Sequence, residues 1–264
     1  MEFDPMNPLG TSEEYYDDYV TLFLDQPDYM PAKGYSKRFN TTERKQVYDN
    51  IISNSRKIDD PFVSFIAMNH FDRYISRQPP LNLKGLDIDL SARSCFKLAV
   101  KMTSSCSSTN ALPSKNKIVK NVEDQIMGVL EGKTRPITAL CFLEFFVLNF
   151  NLNNAQMNLD LKVAAIRIIM ISQREIRVSE YLASVVAAAA LVVASKEMFP
   201  ARYEEFKEAV ANSPFVDKDE VRHCIDTIML ELLQPLGPWR SAAIEVGVQK
   251  VRKKIEAEIR KDRK

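Results

Sequence analysis

Side chains able to catalyse a reaction are scarce in this chain of 264 residues. Its two histidines, His70 and His223, lie on different predicted helices, each within an apolar pattern that is typical of a structural histidine. His223 and Cys224 are adjacent, so on a helix their side chains point about 100° apart. The sequence contains no nucleophile elbow, zinc-protease motif or glycine-rich phosphate loop. We therefore expect no catalytic residue, no cofactor and no enzymatic activity.

The four cysteines do not have the spacing of a metal site either. Cys95, Cys106, Cys141 and Cys224 form no C-x-x-C pair, and no secretory signal accompanies them. Three of them lie in apolar helical stretches. This usage is typical of buried, reduced thiols in an intracellular protein, and we expect no metal ligands among them.

A lysine and a glutamate flank the apolar seams of two predicted helices. Lys101 lies near the end of a helix over about 87–102, and Glu123 lies on a helix over 118–130. If the two helices are neighbours, the two charges flank one shared edge. Two interpretations remain open: a surface ion pair worth about 0–1 kcal/mol, or two charges that reach outward to a partner protein.

The C-terminal segment is basic. Residues 238–264 carry nine bases against four acids, and apolar residues recur there every three or four positions, at Ile244, Val248, Val251, Ile255 and Ile259. This spacing predicts an amphipathic helix with a basic polar face. The helix could pack weakly against the fold, act as a nuclear-import segment through Arg252, Lys253 and Lys254, or bind nucleic acid. We prefer import to nucleic-acid binding, because no aromatic residue follows Trp239 to stack on bases.

Helical periodicity dominates the rest of the sequence and predicts an all-α fold. Only seven glycines occur, and no apolar run reaches the roughly 20 residues that a membrane span needs. The helical pattern restarts after a linker near Pro136, which predicts two domains, each with a central apolar helix. We expect an acidic, flexible N-terminal segment (1–38), two helical domains (39–136 and 137–236) and a basic tail (237–264).

Five motifs, in order, resemble plant D-type cyclins. DDPFVSFIAMNHFDRYIS (59–76) resembles the family's cyclin-box sequence, and LAVKM (98–102) resembles its Leu-Ala-x-Lys-Met. VEDQIMGVLEGKTRPIT (122–138) is similar to the segment that ends the first box. ASVVAAAALVVAS (183–195) and VDKDEVRHCIDTI (216–228) resemble two helices of the second half.

The resemblance implies a tandem cyclin fold, with five helices in each of two domains. It implies a regulatory subunit that forms a heterodimer with a cyclin-dependent kinase and activates it to control G1/S progression and cell division. The family's kinase-binding residues map to Lys101, Met102 and Glu123. Kinase inhibitors are further partners of the family, and a nuclear location, with the cytoplasm as a second one, is expected. No membrane and no nucleic-acid partner is implied.

The sequence also departs from the family and resembles a short, divergent subclass. None of its cysteines lies in a Leu-x-Cys-x-Glu motif, so that route to a retinoblastoma-type protein is not expected. Arg44 and Val47 are the candidates for a substrate-docking patch, while Asn50 and Gly132 replace two tryptophans of the family. These replacements leave open a cyclin-fold scaffold that activates no kinase. A two-box transcription-initiation factor is a further alternative, although the cysteines provide no zinc ribbon.

Overall fold

The computed structural model describes residues 4–7, 16–55, 58, 62–79, 87–103, 117–150, 152, 154–232 and 238–261. Apart from one isolated bridge between Asp4 and Asn7, the regular structure of these residues is helical, which confirms the all-α prediction. The α-helices, renumbered in chain order, are α1 (Tyr16–Asp25), α2 (Tyr35–Arg38), α3 (Thr41–Ser55), α4 (Val63–Ser76), α5 (Ile88–Thr103), α6 (Lys117–Val129), α7 (Leu143–Leu148), α8 (Ala155–Ser172), α9 (Ala183–Met198), α10 (Tyr203–Ala211), α11 (Lys218–Leu232) and α12 (Pro238–Lys261).

Helix α4 is the centre of the first repeat. Of its 14 residues, 13 are buried, and α3, α5 and α6 pack around it. Helix α6 is followed by Gly132, whose φ of 72° lies in the left-handed region that a glycine adopts without steric cost. The Gly132 N–H donates to the Met127 carbonyl at 3.1 Å, so Gly132 caps the C-terminal end of α6.

Helix α9 is the centre of the second repeat. Every residue from Ser184 to Ser195 is buried, and α7, α8, α10 and α11 pack against the helix. Its alanines allow this crowding, because the distance between packed helix axes depends on the size of the side chains at the contact. Four helices of the first repeat and five of the second fall within the described residues.

Residues 16–38 belong to the segment that was predicted to be flexible, but the structure shows them packed on the two repeats. Helix α1 packs its aromatic side chains on the second repeat, where the Phe23 ring stacks on Phe215 with centroids 4.4 Å apart. Gln26 accepts a hydrogen bond from the Ser184 N–H at 2.9 Å, and Tyr35 is buried against the first repeat. Apolar and aromatic residues among the acids therefore anchor residues 16–39 to both repeats.

Helix α12 is the predicted amphipathic tail, and it lies along both repeats by packing on α3 and α8. Ile244, Val248, Val251 and Ile255 are buried, while the side chain of Ile259 lies outside the described residues. Of the helices described, none combines the length and the apolar character that a membrane crossing requires.

A buried ion pair joins the two repeats. Arg44 of α3 is fully buried and donates to both carboxylate oxygens of Asp72 on α4, at 2.9 and 2.7 Å. It also donates to the carbonyl oxygens of Gln173 and Arg174, at 2.8 and 3.0 Å. These carbonyls lie at the C-terminal end of α8, where helix carbonyls lack intrahelical partners. The Tyr35 hydroxyl donates to Asp72 at 2.9 Å. The Arg44–Asp72 pair therefore joins α2, α3 and α4 to the C-terminal end of α8.

We predict that Arg44→Met lowers the free energy of unfolding by about 3–5 kcal/mol, because it leaves the Asp72 carboxylate buried without a cation. Urea unfolding of the purified chain measures this loss. Arg222→Met is the matched control, since Arg222 pairs with Asp219 on the exposed surface, where an ion pair is worth about 0–1 kcal/mol. Equal losses in the two variants would contradict the role given to the buried pair.

His70 of α4 ties the first repeat to the loop after α6. It is completely buried, and its Nε2 lies 2.8 Å from the carbonyl oxygen of Thr134, so Nε2–H is the donor. The pKa of His70 is lowered to about 4, mainly by burial and to a smaller extent by Arg73, while the hydrogen bond to Thr134 opposes the shift. His70 is therefore a neutral structural residue, as the sequence predicted.

We predict that the free energy of unfolding falls by about 2–3 kcal/mol between pH 7 and pH 4.5 through His70 alone. The unfolded histidine takes up a proton below about pH 6.5, whereas the folded one stays neutral down to about pH 4. Urea unfolding of wild type and of His70→Gln at both pH values isolates this contribution. Identical pH slopes in the two proteins would contradict it.

Candidate functional site

The structure brings Lys101 and Glu123 into direct contact. Helices α5 and α6 are neighbours, and the Lys101 ammonium donates to Glu123 Oε2. A second lysine, Lys97, completes the cluster, with its Nζ 3.0 Å from Glu123 Oε1. Lys97 is not among the site residues predicted from the sequence. Its position four residues before Lys101 was the available signal, since residues i and i+4 share one face of a helix.

The members of this cluster differ in exposure. The Lys101 side chain is 43% exposed, whereas those of Lys97 and Glu123 are 17% and 4% exposed. A carboxylate this deeply buried needs compensating cations, and the two lysines provide them. Lys101 is therefore the only member of this trio with a substantial surface to offer to a partner.

Apolar side chains lie beside the charged cluster. Met102 is partly buried, and its sulfur accepts a hydrogen bond from the Thr134 hydroxyl at 3.3 Å. Met127, one helical turn after Glu123, is 43% exposed, and Ile118 on the same helix is 59% exposed. A half-exposed ammonium on α5 and exposed apolar residues on the neighbouring α6 together have a suitable composition for a protein interface.

The structure corrects the docking-patch prediction. Arg44 is 0% exposed and Val47 is 2% exposed, so neither residue forms part of the surface. The reason is the face of α3 on which they lie: Arg44 belongs to the inter-repeat ion pair, and Val47 joins the core. The outer face of α3 instead borders a groove of about 370 Å³, whose lining mixes polar residues such as Asn50 and Arg93 with apolar ones such as Phe96.

The predicted import residues all lie on α12. Arg252 pairs with Asp160 and, at 3.1 Å, with Glu256. Lys254 lies 2.9 Å from Asp4 and above the ring of Phe62. Lys253 is exposed. Two of the three cations thus contact acidic side chains of the same chain.

The described residues offer no sign of metal or thiol chemistry. No group of three or more histidine, cysteine, aspartate or glutamate side chains is placed to hold a metal ion in this part of the chain. Cys95, Cys141 and Cys224 are buried free thiols, and burial raises the pKa of Cys141 and of Cys224 to about 12, which keeps them protonated. Cys106 lies outside the described residues.

Comparison with known proteins identifies the family. Residues 137–258 match the family described as the cyclin C-terminal domain. Putative cyclin-D6-1 of Arabidopsis thaliana is 30% identical over 250 residues, covering 86% of this chain and 83% of that protein. Cyclin-D6-1 of Oryza sativa subsp. japonica is 31% identical over 254 residues, covering 92% of this chain and 78% of that protein.

A solved structure supports the fold. The X-ray structure of a viral cyclin from herpesvirus saimiri superposes with a TM-score of 0.61 and 13% sequence identity, covering 81% of this chain and 96% of that one. The tandem helical architecture predicted from the sequence is therefore that of a cyclin. Together with the two plant relatives, these observations establish that the chain belongs to the plant D-type cyclins.

Proposed function

We propose that this cyclin is a regulatory subunit that binds and activates a cyclin-dependent protein kinase in the control of G1/S progression and cell division. The observation that carries the proposal is the half-exposed Lys101 ammonium, which lies on a buried Glu123 at the positions where the family resemblance expects kinase contacts. Met102 and the exposed Met127 flank this charge with apolar surface. We name this set, with Lys101 and Glu123, the kinase-binding surface.

Lys101 is suited to exchange its intramolecular partner for one on the kinase. Its long side chain carries three rotatable donors, which can reach a backbone carbonyl or a carboxylate of a partner. A charge-assisted hydrogen bond of this kind is stronger than a neutral one. Lys101 would thereby anchor the kinase at the edge that α5 and α6 share.

Activation would then be a shift of the kinase between two conformations. In an active protein kinase, a lysine–glutamate ion pair that includes the regulatory αC helix must be in place. The cyclin must bind the conformation with this helix inward more tightly than the outward one, because equal affinity for both would shift nothing. The kinase supplies all the chemistry, so the cyclin acts as a regulatory subunit and not as an enzyme.

A scaffold without activating ability is the alternative that a specific observation favours. Asn50 is exposed at the groove beside α3, where the family resemblance expects a tryptophan. An amide at this position offers an apolar docking peptide less apolar contact area than an indole ring would. A cyclin-fold scaffold would bind a kinase, or a kinase–inhibitor complex, without activating the kinase.

Expression of the chain with a cyclin-dependent kinase, followed by co-purification and a histone-kinase assay, tests the proposal. We predict that the wild type binds and activates the kinase, and that Lys101→Met weakens binding by about 2 kcal/mol, roughly 30-fold, through loss of an interfacial charge. Lys218→Met, which removes an exposed lysine of the second repeat, should bind like the wild type.

Each contrary result has a separate meaning. If no cyclin-dependent kinase binds, the proposal fails. If the kinase binds but stays inactive, the scaffold is favoured. If Lys101→Met binds as tightly as the Lys218→Met control, Lys101 only forms an ordinary ion pair with Glu123 and does not contact the kinase.

We also propose a nuclear location, with Arg252, Lys253 and Lys254 as the import segment and the cytoplasm as a second location. Lys253 is exposed, and the ion pairs of the other two cations lie at a partly exposed surface, where a receptor can compete for them.

We predict that Lys253→Gln combined with Lys254→Gln reduces nuclear accumulation of a fluorescent fusion. The control variant, Lys207→Gln with Lys218→Gln, removes the same charge from helices α10 and α11 and should accumulate normally. Arg252 is left intact because it holds α12 to Asp160. Unchanged accumulation of the Lys253, Lys254 variant would exclude the import role.

A further inference from the structure

Glu123 is held by two lysines that have unequal freedom to move. Lys97 and Lys101 lie one turn apart on α5, and both ammonium groups reach the same carboxylate. Two like charges at this spacing repel each other, so the arrangement is favourable only with Glu123 between them. Lys101 has a 43% exposed side chain, whereas that of Lys97 is 17% exposed.

We propose that Lys97 is a positioning residue that keeps the Glu123 carboxylate compensated when Lys101 turns outward to the kinase. This inference rests on the kinase-binding function proposed above and names a residue that allows it. With Lys97 in place, release of Lys101 removes only one of the two cations beside Glu123, and the Lys97 ammonium remains. Without Lys97, the same release would leave a buried carboxylate with no cation beside it, and such a charge is strongly unfavourable.

The geometry of the Lys97 contact supports this division of roles. Lys97 Nζ lies at ion-pair distance from Glu123 Oε1, yet among the described residues this oxygen has no donor with hydrogen-bond geometry. Lys97 thus balances the charge and leaves the acceptor capacity of Oε1 unused. A hydrogen-bond donor of the kinase could use that capacity after a small movement of the side chain.

The consequence for binding follows from populations. The apparent affinity for the kinase falls in proportion to the fraction of molecules in the competent state, here the state with Lys101 free. Lys97 raises that fraction because it stabilises Glu123 in the same state. In the free protein, Lys101 alone can compensate Glu123, so loss of Lys97 should affect the complex much more than the fold.

The test measures kinase affinity and urea unfolding for Lys97→Met, Lys97→Arg and the charge-matched control Lys218→Met. We expect Lys97→Met to weaken kinase binding about tenfold with little change in its unfolding midpoint. Lys97→Arg keeps the cation and should bind within about twofold of the wild type, as should the control. Unchanged affinity in Lys97→Met would overturn the proposal, and so would a lower affinity that Lys97→Arg does not restore.

A double-mutant cycle separates positioning from direct contact with the kinase. Glu123→Gln removes the buried charge but leaves Lys101 free, so measurable binding should persist. In that background, Lys97→Met should change affinity by less than twofold, because no carboxylate remains to be compensated. A tenfold effect of Lys97→Met there would show that Lys97 contacts the kinase itself, and that result would overturn the inference.

Failure of the proposed function gives a different pattern. In that case the wild type itself would bind no cyclin-dependent kinase. If the wild type binds and Lys101→Met is impaired while Lys97→Met is not, the proposed function stands and only the role of Lys97 is refuted.

Discussion

The contact between Arg44 and Asp72 is the constraint on which the arrangement of the two repeats depends. Arg44 is buried, and it satisfies both a carboxylate of the first repeat and two carbonyl oxygens at the C-terminal end of α8. Burial alone lowers the pKa of Arg44, but Asp72 outweighs that effect and raises it, so the guanidinium stays charged. A buried charge tolerates little displacement of its partners. The pair therefore fixes α3, α4 and α8 relative to one another.

The kinase-binding surface depends on this frame without being part of it. Helix α5 packs on α4, and α6 packs on α5, so the position of Lys101 follows from the core of the first repeat. His70 extends the same core to Thr134, whose hydroxyl contacts Met102. A rigid support of this kind lowers the entropic loss on binding, since the backbone that carries Lys101 and Met102 is already fixed.

Periodicity and motif order predicted the helices, the two central helices and the proximity of Lys101 to Glu123. They did not predict the buried side chains that join elements distant in sequence. The family resemblance places Arg44 in a docking patch, and only the tertiary contacts with Asp72 and α8 explain why this charged residue is buried instead. The acidic composition around α1 likewise predicted a flexible segment. The packing of this helix depends on ring contacts, such as Phe23 with Phe215, that composition does not predict. Lys97 was missed although it lies one helical turn before Lys101, because that spacing alone does not show that both ammonium groups reach Glu123.

We propose that Lys101 anchors a cyclin-dependent kinase while Glu123 stays compensated beneath it. A crystal structure of the complex tests this most directly, through the distances from Lys101 Nζ and Lys97 Nζ to their nearest oxygens. We predict that Lys101 lies within hydrogen-bond distance of a kinase oxygen and that Lys97 is still at ion-pair distance from Glu123. A kinase seated elsewhere on the cyclin, with Lys101 still directed at Glu123 and solvent, would contradict it.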